Sequence, residues 1–428
     1  MCWRPWSSTL GALAVMAACT LAVTTAHAQH LLVPMDDVQT DHLRAYGLTW
    51  WCLDGPRAYE CEWLLNYRAG SFLLPDLPDV RARAAELGVS FEPTSEAGLA
   101  EIAAVVERSN MQRLHLTRAP KIAVYTPAYT EPWDDAVTLA LSYAQIDYDK
   151  IWDREVLRGG LEDYDWLHLH HEDFTGNYGR FFSTFADAPW YRRQVIESRA
   201  VAEELGFASV QACKQAVAAT IAAWVSEGGF LFAMCSAADT LDIALAAQGI
   251  DIVPAPIDGT PMAPDAQQRL DFTATLAFRD FQLTTNPLDP EVADIDVSPS
   301  QSAIISQGEV FDLFEFSARQ DPVPTMLTQC HVGQVADFLG QTTSFRRECL
   351  RDRIVVLGDF PGQDRVKYIH GGYVQGTFTF LGGHDPEDYA HIIGEDPTDL
   401  SLHRHSPGYR LILNNILFPA AKTQERKT

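Results

Sequence analysis

The stretch from Gly228 to Thr240, reading Gly-Gly-Phe-Leu-Phe-Ala-Met-Cys-Ser-Ala-Ala-Asp-Thr, constrains the fold more than any other part of the chain. A short apolar run after a Gly-Gly turn reads as a buried strand of a parallel sheet, and the Ala-rich continuation with Asp239 and Thr240 reads as the start of a helix. Cys235 then stands at the strand-to-helix corner. Such a corner lifts a side chain out of the sheet at the carboxyl end of its strand, and a helix N-terminus favours thiolate over thiol. Cys235 is therefore a candidate nucleophile. The competing reading is a buried structural Cys, since free Cys is among the most buried residue types.

Strands and helices alternate on either side of this corner. Lys121–Tyr125, Tyr148–Trp152 and Trp166–His171 read as strands, and Trp133–Ile146 as a helix entered through Pro132 and acids that suit a helix start. The Ala-rich pattern Val210–Trp224 reads as the helix leading into Phe230–Met234. This alternation predicts an α/β fold with a doubly wound parallel sheet, in which ligands bind beyond the carboxyl ends of the strands. An additional N-terminal α/β unit precedes it. There His30–Met35 and Glu62–Leu74 read as strands, the latter with a turn after Tyr67. Asp41–Cys52, Pro78–Gly88 and Ser95–Ser109 read as helices, and Asn110–Pro120 as the connector. Further on, Ile250–Gln301 is a Pro- and Asp-rich excursion able to cover the site. Phe311–Phe316, Pro324–Leu327 and Arg353–Leu357 read as strands, and Pro407–Phe418 as a closing helix.

Two further segments carry chemistry. In Trp166-Leu167-His168-Leu169-His170-His171-Glu172-Asp173, His168 and His170 share one face of a strand, an arrangement that suits zinc, with acids close behind. The bland alternative is a pair of hydrogen-bonded structural imidazoles at a strand end. A backbone N–H of the following Gly176–Gly179 loop would suit an oxyanion. The second segment is Tyr373 to Tyr389. It reads as an alternating strand that delivers His384 into a Gly-flexed turn with Asp385, Glu387 and Asp388 behind it, where a general base and its orienting carboxylate would sit.

Composition limits the partners and the compartment. The formal charge is -25 over 428 residues, and lysine is confined to positions 121, 150, 214, 367, 422 and 427, so no basic stripe for nucleic acid exists. Arg4, the apolar run Leu10–Val23 and Ala26-His27-Ala28 match an export signal cleaved after Ala28. An acylated Cys19 is the weaker alternative. No later run is long enough for a membrane helix, so the expected location is periplasmic or secreted. In an oxidising compartment Cys52 with Cys61, and Cys330 with Cys349, are the expected disulfides, because each pair brackets a local loop.

The Gly-Gly strand, the Ala-Met-Cys-Ser-Ala corner and the later Gly-His with trailing acids together resemble the class I glutamine amidotransferase-like fold. That resemblance implies a flavodoxin-like sheet over residues 119–420, after a signal peptide (1–28) and an N-terminal unit (29–118) and before a short tail (421–428). It implies Cys235 as nucleophile, His384 as base and Glu387 as orienter. Ala233 and Ala237 replace the family's two glycines, and Glu387 lies three residues from His384 rather than two. The segments Phe378–Tyr389 and Ser406–Leu417 resemble the ThuA-like members of that fold. The whole chain resembles secreted bacterial proteins often labelled asparagine synthetase B, yet it has no Ser-Gly-Gly-x-Asp loop and no N-terminal Cys-Gly for that chemistry. Three expectations follow: a Cys-dependent hydrolase of an amide or ester without a cofactor, a zinc-dependent hydrolase using His168, His170 and His384, or a non-catalytic glycan-binding protein. The partner in each case is a small molecule or glycan.

Overall fold

The computed structural model describes residues 1–2, 30–127, 135–297, 309–321, 328–389, 394 and 396–421. The export segment, the Pro324–Leu327 strand, the start of the Trp133 helix and residues 422–428 lie outside them. Among the described residues the strands form two sheets.

The N-terminal unit runs β1 (His30–Val33), α1 (His42–Leu53), β2 (Cys61–Leu65), β3 (Ser71–Pro75), α2 (Pro78–Leu87), β4 (Glu92–Thr94), α3 (Glu96–Arg108) and β5 (Gln112–Leu116). Its sheet has the order β4-β1-β3-β2-β5 and is antiparallel throughout. Side chains alternate across it with the period of two that strands impose. Leu31, Val33, Trp63, Phe72 and Leu74 share a core with residues of α1 and α2, while Leu32, Leu64 and Leu73 pack with Ile102 and Val106 of α3. Asp41 caps α1 by accepting from the Arg44 N–H at 2.9 Å, and Ser95 caps α3. The expected connector after α3 is instead β5, which buries Leu114 and Leu116 and exposes His115 between them.

The larger unit begins with β6 (Ile122–Tyr125), α4 (Ala136–Ala144), β7 (Asp149–Ile151), α5 (Asp153–Leu157) and β8 (Trp166–Leu169). It continues through α6 (Phe182–Phe185), α7 (Pro189–Glu204), α8 (Val210–Ser226), β9 (Phe230–Met234) and α9 (Ala237–Ala246). The excursion that follows holds two short helices, α10 (Ala255–Asp258) and α11 (Ala266–Arg269). It is fastened to α9, because both Asp242 oxygens accept from the N–H groups of Leu276, Ala277 and Phe278 at 2.7 to 2.8 Å. The chain then adds β10 (Val310–Leu313), β11 (Gln334–Ala336), β12 (Phe345–Arg346), β13 (Val355–Asp359), β14 (Arg365–Tyr373), β15 (Gly376–Leu381) and α12 (Pro407–Leu417).

These strands make a mixed sheet of order β11-β10-β13-β14-β15-β9-β8-β6-β7, with β12 beside β14. From β15 to β7 all pairings are parallel, whereas from β15 to β11 all are antiparallel. The class is α/β, but the sheet is parallel over only part of its width. The change of direction falls inside the run read as a single strand after Tyr373. Tyr373 pairs with Gly376, so Val374 and Gln375 are a two-residue hairpin loop, with Val374 at φ +57°. The loop lacks the Asn-Gly or Asp-Gly dipeptide that usually marks such a turn. Helices cover both faces of the parallel half: Trp166, Phe232 and Met234 face α4 and α12, and Leu167, Leu231 and Ala233 face α8 and α9.

The two units meet where α1 crosses α4. A Cβ on Gly47 would stand 1.8 Å from the carbonyl oxygen of Ala144, so only glycine permits that crossing. Arg410 of α12, fully buried, ties the seam together by donating to the Met35 carbonyl at 2.9 Å, the Tyr46 hydroxyl at 3.1 Å and the Ala69 carbonyl. Neither expected disulfide is formed. Cys52 and Cys61 are free thiols sharing a hydrogen bond between α1 and β2. Cys330 and Cys349 lie in separate cores, Cys330 against the cluster that spans the seam and Cys349 in the one beneath α8 and α9.

Candidate metal centre

Cys235 occupies the corner between β9 and α9, with its backbone in the left-handed region at φ +53°. A non-glycine residue held there costs on the order of 1 to 3 kcal/mol, and such strain concentrates at functional corners. The Cys235 N–H donates to the Gly383 carbonyl at 3.2 Å, which joins the corner to the turn carrying His384. Its sulfur is buried. The Gln341 N–H donates to it at 3.4 Å, and the backbone N–H groups of Ser236 and Thr342 also bond it. Burial nevertheless pushes the thiol up to about 11, so at neutral pH the sulfur is protonated. Desolvation outweighs the thiolate preference expected of a helix start.

The imidazoles converge around Asp135, the N-cap of α4, whose Oδ1 accepts from the N–H groups of Val137 and Thr138 at 2.8 and 3.0 Å. His168 in β8 places Nδ1 3.2 Å from the Phe232 carbonyl and Nε2 3.3 Å from Asp135 Oδ2. His170, just past the strand end, places Nδ1 3.2 Å from Asp135 Oδ1. Burial alone would raise the Asp135 carboxyl, but the charges and hydrogen bonds of His170 and His168 hold it well below the usual range. Beyond His170 lie His384, with ring centroids 4.4 Å apart, and His171, 5.1 Å away.

Two sets of ligand atoms result, each with all members within 4.8 Å of one another: His170, His171 and His384, and Asp135, His168 and His170. His170 belongs to both. Its Nδ1 faces the carboxylate, and its buried Nε2 has no hydrogen-bond partner among the described residues. His168 and His384 thus fall in different sets, each joined to His170, rather than in one three-histidine group. His171 joins the set of His384, and Asp135, an acid at the start of α4, joins the set of His168.

The other expected groups are engaged elsewhere. Glu387 Oε2 lies 3.0 Å from His403 Nδ1. Asp385 accepts from the Glu387 N–H at 2.8 Å and from the Tyr409 hydroxyl at 2.7 Å, so it fixes the turn to α12. In the loop after β8, the Gly179 N–H donates to Asp173 Oδ2 at 2.7 Å, which takes one of the donors that loop could offer an oxyanion. A polar network at the end of β6 was not legible in the sequence. Lys214 Nζ, inside α8, donates to the Tyr125 hydroxyl at 2.8 Å and to Asp153 Oδ1 at 3.0 Å, and Tyr125 in turn donates to Asp153. Glu172 lies near this network, and burial pushes its carboxyl up to about 7.

No family profile and no curated protein matches the sequence. Among solved structures the chain is similar to the cytoplasmic protein STM3548 from Salmonella typhimurium, at 11% identity and a TM-score of 0.34, covering 71% of this chain and 100% of that one. It is similar to the cytoplasmic protein STM1381 from Salmonella typhimurium LT2 at 12% identity and a TM-score of 0.34, with the same coverage. Gan42B, a GH42 beta-galactosidase, matches at 11% identity and a TM-score of 0.25, over 63% of this chain and 28% of that one. Among the described residues no helix is long and apolar enough to cross a membrane.

Proposed function

We propose that this chain is an exported zinc-dependent hydrolase of an amide or ester bond, built on a flavodoxin-like arrangement of its parallel strands. The strand order β7-β6-β8-β9-β15, numbered by its own sequence order, is 2-1-3-4-5, the order of that doubly wound class. The observation that carries the chemistry is His170, whose Nδ1 stands 3.2 Å from Asp135 Oδ1 and which shares a set of ligand atoms with His171 and His384. A carboxylate on the outer nitrogen of a ligand histidine fixes its tautomer and raises the basicity of the inner one. Three imidazoles are a donor set that suits zinc and leaves a position for substrate. His170, His171 and His384 would hold the ion, and zinc would supply Lewis acidity toward the scissile carbonyl. Asp135 orients His170 and is itself aimed by the first turn of α4. His170 and His384 are buried, so they would hold the ion with little exchange against bulk solvent, and the position left on it would have to admit the water that hydrolysis consumes.

A Cys-dependent hydrolase is the second reading, favoured by the left-handed backbone at Cys235. It requires His384 to take a proton from a thiol that burial holds at about 11. The two readings separate in one experiment. Metal content and hydrolysis of a panel of p-nitrophenyl esters and anilides are measured on the purified mature chain and on His170→Ala and Cys235→Ala. We expect about one zinc per chain, lost in His170→Ala together with activity and retained in Cys235→Ala. A metal-free, active parent that iodoacetamide silences would transfer the chemistry to Cys235.

A further inference from the structure

A second site lies at the other end of α4. Asp135 caps the N-terminus of that helix, and Gln145 caps its C-terminus. Beside Gln145 a pocket with a volume of about 540 Å³ opens between the N-terminal unit and the segment that joins α4 to β7. That is within the range of small-molecule sites, roughly 300 to 1,000 Å³.

Its lining is mixed in sign and neutral in sum, with Arg57 and Arg83 against Asp54 and Asp147. The two guanidinium groups are held in place around Trp51. Arg57 lies 4.2 Å from the Trp51 ring centroid, donates from Nε to the Trp51 carbonyl at 2.7 Å and pairs with Asp54 at 3.3 Å. Arg83 lies 5.9 Å from the same ring and donates to Gln145 Oε1 at 2.7 Å. Gln145 holds this position with a left-handed backbone, φ +58°, where a helix end ordinarily carries Gly. The fold keeps a side chain there despite a strain on the order of 1 kcal/mol or more.

The chemistry of the lining selects a ligand class. An anion would meet Asp54 and Asp147, and a cation would meet Arg57 and Arg83. A purely apolar ligand would strip water from all four charges without replacing their hydrogen bonds. A neutral polyol offers donors and acceptors at close spacing, together with a C–H face for Tyr148, while the Trp51 ring, with Arg57 over it, holds that guanidinium in the lining. We infer that this pocket is a saccharide-binding site, separate from the proposed metal centre.

The test titrates the full mature chain with cellobiose and maltose, following tryptophan fluorescence and heat, with sodium phosphate and spermidine as charged comparators. We expect at least one disaccharide to bind with a dissociation constant in roughly the millimolar range, and neither charged probe to bind there. Trp51→Ala should weaken binding at least about tenfold and Asp147→Asn about threefold. Prior treatment with EDTA should leave saccharide binding unchanged, which separates this site from the metal reading. Asp147 and Gln145 are exposed. If Trp51→Ala does not fold, Asp147→Asn and Gln145→Ala carry the test. The inference is overturned if neither disaccharide binds at about 50 mM, if the folded variants bind as tightly as the parent, or if phosphate or spermidine binds in their place.

Discussion

Two groups of imidazoles in this molecule are organised around fixed charges of opposite sign. At the carboxyl edge of the parallel strands, His168 and His170 flank the Asp135 carboxylate. At the seam between the units, His42 and His331 stack with ring centroids 4.4 Å apart, His405 Nδ1 stands 3.1 Å from His42 Nδ1, and Arg410 Nη1 lies 3.3 Å from His331 Nδ1. Burial, reinforced by the Arg410 charge, lowers His42 to about 3 and His331 to about 4. These rings are therefore neutral at ordinary pH. His42 Nε2 faces the Asp36 carbonyl at 3.0 Å, so it carries the proton and leaves Nδ1 to accept from His405. At the seam the neutral His42 and His331 stand beside a guanidinium that repels cations, while the Asp135 carboxylate attracts them. The charge next to a histidine, more than the number of histidines, sets what the group can bind.

The contrast can be broken most severely at Arg410. In Arg410→Met the Met35 and Ala69 carbonyls and the Tyr46 hydroxyl lose their donor, and we expect urea unfolding to show a loss of about 4 kcal/mol. Next in size is the acid response of the parent. The seam histidines are lowered in the folded state, so their contribution is complete above about pH 6.5 and is lost as pH falls toward 4 and 3. His42 alone should remove on the order of 2 to 3 kcal/mol between pH 7 and pH 4, with half-buried His331 adding less. Removing Arg410 lifts both rings toward their ordinary value, so the loss over that interval should shrink. An unchanged slope would mean that burial keeps them neutral without help from the guanidinium.

A smaller effect is expected at the opposite pole. Asp135→Asn keeps the shape of the cap but removes the charge, and zinc affinity measured by competition with a chelator should fall about 10- to 100-fold. Equal affinity in that variant would sever Asp135 from the proposed metal centre. The least effect belongs to exposed His405: His405→Gln should change stability by less than about 0.5 kcal/mol and leave zinc content as it was.

Much of the parallel half was legible because its signals are local. The apolar run Phe230–Met234 between a glycine turn and an Ala-rich helix places Cys235 at its corner, and the spacing of His168 and His170 brings both to one carboxylate. What escaped depended on partners distant in sequence. Asp135 looks like an ordinary helix cap until β8 is laid beside β6. Lys214 sits in an Ala-rich helix that gives no hint of Tyr125 and Asp153. The antiparallel half was missed because alternation marks a strand without marking its direction, and because Val374-Gln375 makes a hairpin without the usual dipeptide. The thiolate expected at Cys235 failed for a different reason: the covering loop around Gln341 removes water from the sulfur, and no local pattern encodes that cover.

The short strands at the sheet margins bear on how the chain behaves among its own copies. The larger sheet ends in β7 and β11, three residues each, and one margin of the smaller sheet is β4, also three residues, with Pro93 in its middle. A free margin is a template on which a second polypeptide can add itself as another strand, and shortness and proline are the means by which natural sheets discourage this. Among the described residues β5, five residues long, is the longer margin; it carries Arg113 and His115, and its end is covered where Leu116 bridges Ala421. Concentrated solutions should therefore resist fibril formation from the native state, and self-association would begin at β5 before any other strand.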